Sequence, residues 1–247
     1  PVGLGFGCVT MAILASRILE TKRERIIVIT LLSLAIPCSA QLGVMLALMS
    51  AISLAAVVTI ASIVFVEFAV VGNLLGRYMK GESSDFILEL PPLRIPRPRN
   101  ILLKTGARAK WFLVEAIPYF LLATVVLFTL DRTGAMAVIH RTVEPVVSKL
   151  LGLPVETASV FIVGFFRRDY GAAGLYSMWQ EGMLTGNQIA VSLTVMSLFL
   201  PCLASLIVMV KEIGIRYAAV IFLGVMLVSL LTGSALNLVL VLTGVSF

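Results

Sequence analysis

The sequence predicts an all-α polytopic membrane protein built from two inverted repeats, each a re-entrant hairpin followed by a proline-broken transmembrane helix. Three observations lead there. Of the 247 residues, 60% are hydrophobic and 13% are charged, about half the charge of a soluble domain. Long stretches carry no charged residue at all. One sixteen-residue segment occurs twice. Hydrocarbon makes every unpaired polar group expensive, so spanning segments shed charge. A span takes about 20 apolar residues, so the chain has room for roughly six to eight passes.

The balance of charge is +6 and the mean hydropathy +1.07. In a soluble chain that charge would suggest nucleic acid. Here excess Lys and Arg mark cytoplasmic loops instead, so no nucleic-acid partner is expected. The three cysteines, Cys8, Cys38 and Cys202, are sparse, odd in number and set in apolar sequence, which is no disulfide framework. A single histidine, His140, excludes a His-rich metal site. Neither HExxH nor GxSxG occurs, so an intramembrane enzyme is disfavoured. The chain starts at Pro1 inside an apolar segment and is expected to be a piece of a longer polypeptide.

Residues 1–50 form the later part of a first repeat, 51–133 a connecting region, and 134–247 a second repeat. Gly3–Ile18 is apolar but short for a span, and Arg17–Arg25 is a charged loop. From Ile26 to Gly76 there are 51 residues with one charged group, Glu67. That length is about twice a bilayer at helical rise, so it folds as two passes turning near Met49–Ser53. Gly81–Asn100 is a Pro-rich polar loop. Between Leu90 and Val114 lie six basic residues and no acid, which places the 81–110 loop in the cytoplasm. Trp111–Leu130 is a span interrupted at Glu115 and Pro118. Ala135–Gly152 is amphipathic and reads as an interfacial helix. Ile189–Val210 and Tyr217–Phe247 supply the last spans.

Thr157–Phe166 gives ten apolar residues before Arg167-Arg168-Asp169 and Tyr170-Gly171-Ala172-Ala173-Gly174. A continuous span here would put two arginines near the bilayer centre, at several kcal/mol. A hairpin that turns at the charged, glycine-containing tip and returns within protein is cheaper.

The repeat lies at an offset of 164: residues 30–45 read TLLSLAIPCSAQLGVM and 194–209 read TVMSLFLPCLASLIVM, identical at nine of sixteen positions. Pro37 and Pro201 lack the amide hydrogen that would pair with the carbonyls of Ser33 and Ser197. Both helices should break near their middles, with a thiol (Cys38, Cys202) beside freed carbonyls. Paired broken helices at corresponding positions mark a transporter's binding site. The plainer alternative is two proline kinks with buried structural cysteines. Extending the offset backwards sets Phe6-Gly7 opposite Tyr170-Gly171, so Gly3–Cys8 looks like the tip of a first hairpin.

Gly5-Phe6-Gly7-Cys8, Pro37-Cys38, the run Glu89-Leu90-Pro91-Pro92 with Arg94, Pro96, Arg99 and Asn100, and Arg167–Gly174 together resemble the membrane region of the FeoB ferrous iron transporter family. The resemblance covers essentially the whole chain. It implies two gate-type repeats in a bacterial inner membrane and Fe²⁺ as transported substrate, with no permanently bound cofactor. It also implies an N-terminal GTPase domain using GTP and Mg²⁺. No GxxxxGK[ST] occurs here, so no nucleotide site belongs to this chain. Further implied partners are the bilayer, a small cytoplasmic FeoA-type protein and other copies of the chain. The family's proposed iron ligands map onto Cys8, Cys38 and Cys202.

Fe²⁺ binds more weakly than Cu²⁺ or Zn²⁺, and a transporter must both dehydrate and release its ion. Thiols with backbone carbonyls, offered by Ser33 and Ser197, suit that task. Asp169 is a further candidate ligand, or else the partner of Arg167 or Arg168 at the hairpin tip. Glu67 and Glu115 are intramembrane acids and so transport candidates. Met45 and Met209 are repeat-matched thioethers, at a spacing equally suited to packing. Two other readings remain: an organic-solute carrier of nucleoside type sharing the architecture, and a membrane scaffold with buried cysteines.

Overall fold

A computed structural model of the protein describes residues 7–19, 21–49, 54–79, 98–198 and 202–243. The regular elements among them are helices. Helix α1 (Val9–Ala15) closes in a 3-10 turn, Ser16–Ile18. Helix α2 (Lys22–Ala35) starts at Thr21, whose side-chain oxygen accepts from the Glu24 amide at 3.2 Å, satisfying one of the orphan donors of the first turn. The helix stops ahead of Pro37, and α3 (Ser39–Met49) restarts beyond Cys38. The first pass is therefore two half-length helices, as a proline mid-helix dictates.

Helix α4 (Leu54–Tyr78) is unbroken. Helix α5 (Pro98–Arg132) turns at Gly134, in the left-handed region with φ 71°, into α6 (Ala135–Leu151). Helices α7 (Thr157–Phe166) and α8 (Arg168–Gln180) are followed by α9 (Gly186–Leu198), α10 (Leu203–Ile213) and α11 (Ile215–Thr243). At the repeat offset, α3 and α10 begin at matched positions, Ser39 and Leu203, each one residue after its cysteine. Pro201, the 50–53 turn, the tip residues 3–6 and the Pro-rich stretch 81–97 lie outside the described residues.

Three expectations change. Among the described residues, three helices are long and apolar enough to cross a membrane, or up to four if the pair Leu121–Arg132 and Ala135–Leu151, bent by 92°, is one span. That is fewer than the roughly six to eight that composition allowed, because apolar sequence also builds half-length helices and a hairpin. Residues 98–110, expected within the loop, are helical and continue unbroken through Glu115 and Pro118. Leu, Lys, Arg and Ala dominate this stretch and favour helix, and Pro98 sits at the first helical position, where no amide is missed. Finally, the glycines expected at the hairpin tip are inside α8. The turn itself is one extended residue, Arg167, with φ −142° and ψ 110°.

The helices α7 and α8 pack along each other. Glycine permits it: a Cβ on Gly171 would stand 2.5 Å from the Gly164 Cα. One apolar cluster joins Leu48, Ile60, Leu151, Leu175 and Leu193 from α3, α4, α6, α8 and α9. A second joins Ile13, Leu32, Leu198, Met209 and Ile221 from α1, α2, α9, α10 and α11. The opposite faces of α4 and α11 expose Phe65, Val70, Leu223 and Leu231, the surface a bilayer covers. Amphipathic α6 buries Val147 and Leu151.

Candidate functional site

Each cysteine stands at the start of a helix. The carbonyl of Cys8 accepts the Ala12 amide at 3.1 Å, that of Cys38 the Leu42 amide at 2.9 Å, and that of Cys202 the Leu206 amide at 3.0 Å. All three are therefore the residues from which α1, α3 and α10 begin. Arg167 holds the same position for α8, its carbonyl accepting the Gly171 amide at 3.2 Å. The sequence puts them there because Pro37 breaks one helix and a charged turn starts another. Their side chains are left at the rim of the space where the helices restart.

These four helix starts meet around one cavity of about 320 Å³. Cys8, Val9 and Thr10 line it from α1, Cys38 and Ser39 from α3, Arg167, Arg168 and Asp169 from the hairpin turn, and Cys202 and Ser205 from α10. Gly7 completes the wall, its carbonyl accepting from both the amide and the hydroxyl of Ser39 at 3.3 and 3.0 Å. So Gly7 is docked on the start of α3. The three thiols are free and partly buried.

Contacts across the cavity join segments far apart in the chain. The Thr10 and Ser205 hydroxyls are 2.8 Å apart, and Ser205 Oγ lies 3.3 Å from the Cys202 sulfur. On the other side Arg168 Nη1 donates to Gln41 Oε1 at 3.2 Å, while the Gln41 amide nitrogen donates to the Met196 carbonyl. Met196 lies in the last turn of α9, whose carbonyls have no helical partner, so Gln41 caps that broken end. At the outer rim Arg17 Nε bonds Glu212 Oε1 at 2.7 Å, again joining the first repeat to α10.

Asp169 lines the cavity but is engaged. Its carboxylate takes two bonds from Arg167, at 2.7 and 3.3 Å, and the same guanidinium lies 4.2 Å from the Tyr170 ring centre. The electrostatics are distinctive: two guanidiniums and the positive ends of α3, α8 and α10 face a space whose one carboxylate is already paired. Among the described residues, no three of His, Cys, Asp and Glu stand close enough to hold a metal ion in this state.

The remaining candidates lie elsewhere. Ser33 is buried with its hydroxyl unpartnered. Ser197 is buried, donating to the Leu193 carbonyl at 2.6 Å and lying 3.5 Å from the Met45 sulfur. Met45 and Met209 are packed in the two apolar clusters. Glu67 sits on α4, away from the cavity, accepting a hydrogen bond from Thr232. Glu115 is a residue of α5, and its side chain lies outside what is described. Sequence reasoning missed Thr10, Gln41 and Ser205. The signal was present: Gln41 and Ser205 occupy the same repeat position, polar in both copies within otherwise apolar helices.

Residues 57–108 match the family described as Ferrous iron transport protein B C terminus, and residues 113–216 the gate family described as Nucleoside recognition. The chain is 24% identical to the Fe(2+) transporter FeoB of Staphylococcus aureus strain COL, over 86% of the chain and 36% of that protein. It is 26% identical to the Fe(2+) transporter FeoB of Methanocaldococcus jannaschii, over 87% of the chain and 37% of that protein. With the Fe(2+) transporter FeoB of Escherichia coli K12 it shares 26% identity over 59% of the chain and 21% of that protein. The chain thus spans about a third of the length of the curated relatives it matches most fully. No solved structure matches it.

Proposed function

We propose that this multi-pass chain, which matches the FeoB C-terminal family over residues 57–108 and the gate family over 113–216, is the membrane permease portion of a ferrous iron transporter of the FeoB type. The observation that carries the proposal is the meeting of Cys8, Cys38 and Cys202 around one cavity at the starts of three helices. The cavity has the volume of on the order of ten liquid waters, enough for a hydrated ion. In this reading Fe²⁺ enters hydrated and trades water for sulfur as the helix starts close on it, and the carbonyls of Ser33 and Ser197, outside the cavity lining here, could join only after the broken helices rearrange. Each thiol that ligates does so as thiolate and releases its proton. The negative charge then faces the helix starts and Arg168. Asp169 joins only by giving up Arg167.

The packing supports inverted repeats as the moving parts. Helix α3 of the first repeat lies on α8 of the second, and α10 of the second lies on α1 of the first. Tilting either repeat would carry both halves of the exchange and open the cavity to the other side, the usual basis of alternating access. The hairpin α7–α8 would then be re-entrant, with loop 81–110 cytoplasmic in a bacterial inner membrane. No GTPase motif occurs in the chain. A GTPase domain elsewhere in the polypeptide, and a FeoA-type protein, would act on the cytoplasmic face.

The gate family's description favours a second reading, an organic solute of nucleoside type. Among the described residues, no aromatic ring lines the cavity to stack a base. Fe²⁺ flux into vesicles reconstituted with the full-length transporter tests the proposal. Cys38→Ser with Cys202→Ser is expected to abolish it, and wild-type flux in that double variant would overturn the ligand assignment. Protection of the thiols from alkylation by nucleoside and not by Fe²⁺ would favour the alternative.

A further inference from the structure

One ionisable side chain lies in the interior of an unbroken span, outside the cavity just described. Glu67 is the thirteenth of the 24 residues from Ala55 to Tyr78, about 18 Å along the helix from its start, which is close to the middle of a bilayer about 30 Å thick. It is half-buried. Its Oε1 accepts the hydroxyl of Thr232 on α11. Its Oε2 is buried and finds no partner among the described residues.

No cation faces it. Helix α4 packs on α2 and α9. Helix α9, Gly186–Leu198, carries no titratable residue. The charges of α2, namely Lys22, Arg23, Glu24 and Arg25, sit at its start. There Arg23 Nη2 bonds the Gly76 carbonyl at 2.9 Å, nine residues or about 13 Å beyond Glu67. On α11 the titratable residues Arg216 and Tyr217 lie at the helix start, about 22 Å or more before Thr232. On α4 itself Arg77 and Tyr78 close the helix. A carboxylate held there by one neutral hydroxyl costs several kcal/mol, and charging it demands water or a cation beside it.

The contact it closes is a slender one. Helix α11 packs mainly on α9, α10, α6 and α2, and α4 on α2 and α9, and the Glu67–Thr232 bond is a polar link between α4 and α11. We propose that Glu67 is an intramembrane proton-binding site: protonated, it joins α4 to α11 through Thr232, and on losing its proton to water it releases α4 from α11. The balance is simple: the carboxyl O–H breaks, the proton goes to water that enters the opened contact, and the carboxylate is solvated by that water.

Two measurements on the full chain in lipid nanodiscs test this without any transport assay. Infrared difference spectra of wild type against Glu67→Gln should show a protonated-carboxyl C=O band at neutral pH that fades as pH rises. Spin labels at the lipid-facing positions Phe65 and Leu231, 72% and 60% exposed, report the α4–α11 distance. It should lengthen in step with loss of the band, stay short at every pH in Glu67→Gln, and be long at every pH in Thr232→Val. Absence of the carboxyl band at neutral and acidic pH would overturn the proposal. So would a distance that ignores pH in wild type, or one that responds to pH equally in Glu67→Gln.

Discussion

Replacing Gly171 by alanine should prise the α7–α8 hairpin apart, whereas the same change at Gly164, on the facing limb, should be tolerated. The asymmetry is worked from contacts. A Cβ at 171 would meet the Gly164 Cα at 2.5 Å, the Met196 Cε at 2.8 Å and the Val160 carbonyl oxygen at 3.0 Å. Two of these are backbone and cannot rotate away. Non-bonded carbons rest at about 3.5–4.0 Å, so the limbs must part by roughly 1 Å. A Cβ at 164 meets nothing nearer than 3.4 Å. Overpacking of this kind costs about 1–3 kcal/mol, offset by the roughly 1 kcal/mol alanine gains over glycine in a helix. The net expectation for Gly171→Ala is a loss of up to about 2 kcal/mol, and for Gly164→Ala a gain of up to about 1 kcal/mol. Unfolding in mixed micelles, with the two variants side by side, measures both. Equal stability of the two, or a larger loss at Gly164, would refute the packing argument. Because Arg167 and Asp169 ride on this hairpin, Gly171→Ala should also alter thiol labelling rates at the cavity.

Gln41→Leu leaves Arg168 without that acceptor and the Met196 carbonyl uncapped. It should cost about 1–3 kcal/mol and speed alkylation of Cys38 and Cys202, read by mass spectrometry. Arg17→Ala strands the Glu212 carboxylate, whose side chain is 6% exposed. It should destabilise more than Glu212→Gln does, by about 1–3 kcal/mol in the same unfolding assay. Asp169→Asn frees the Arg167 guanidinium and adds positive charge to the cavity, so Fe²⁺ affinity by calorimetry should fall a few-fold, on the scale of a partly exposed ion pair.

The parts of this fold legible in the sequence were those that local chemistry dictates. Pro37 ends α2 whatever surrounds it, and the 164-residue offset places the starts of α3 and α10 in register with Cys38 and Cys202. The arginines at 167–168 made a hairpin cheaper than a span, and the limbs do pack together. What was hidden depends on the partner helix. Thr10 and Ser205 are 195 residues apart, and their meeting follows from α10 lying on α1, which no periodicity encodes. Glycines at 171 and 164 read as turn residues because glycine serves turns and close helix crossings alike. The basic stretch 98–110 looked like loop because its charge signals topology, while its helix-forming side chains had the final say. Of the site, the cysteines and Asp169 were visible as residue types, and the polar links through Gln41 and Ser205 were not.

Iron absorption spectroscopy on the full-length transporter loaded with Fe²⁺ in nanodiscs addresses the ligand set directly. Sulfur scatterers should appear in the first shell of wild type and diminish stepwise as Cys8, Cys38 and Cys202 are each replaced by serine. A first shell of oxygen and nitrogen alone in wild type, or a sulfur shell that survives replacement of all three cysteines, would contradict the account.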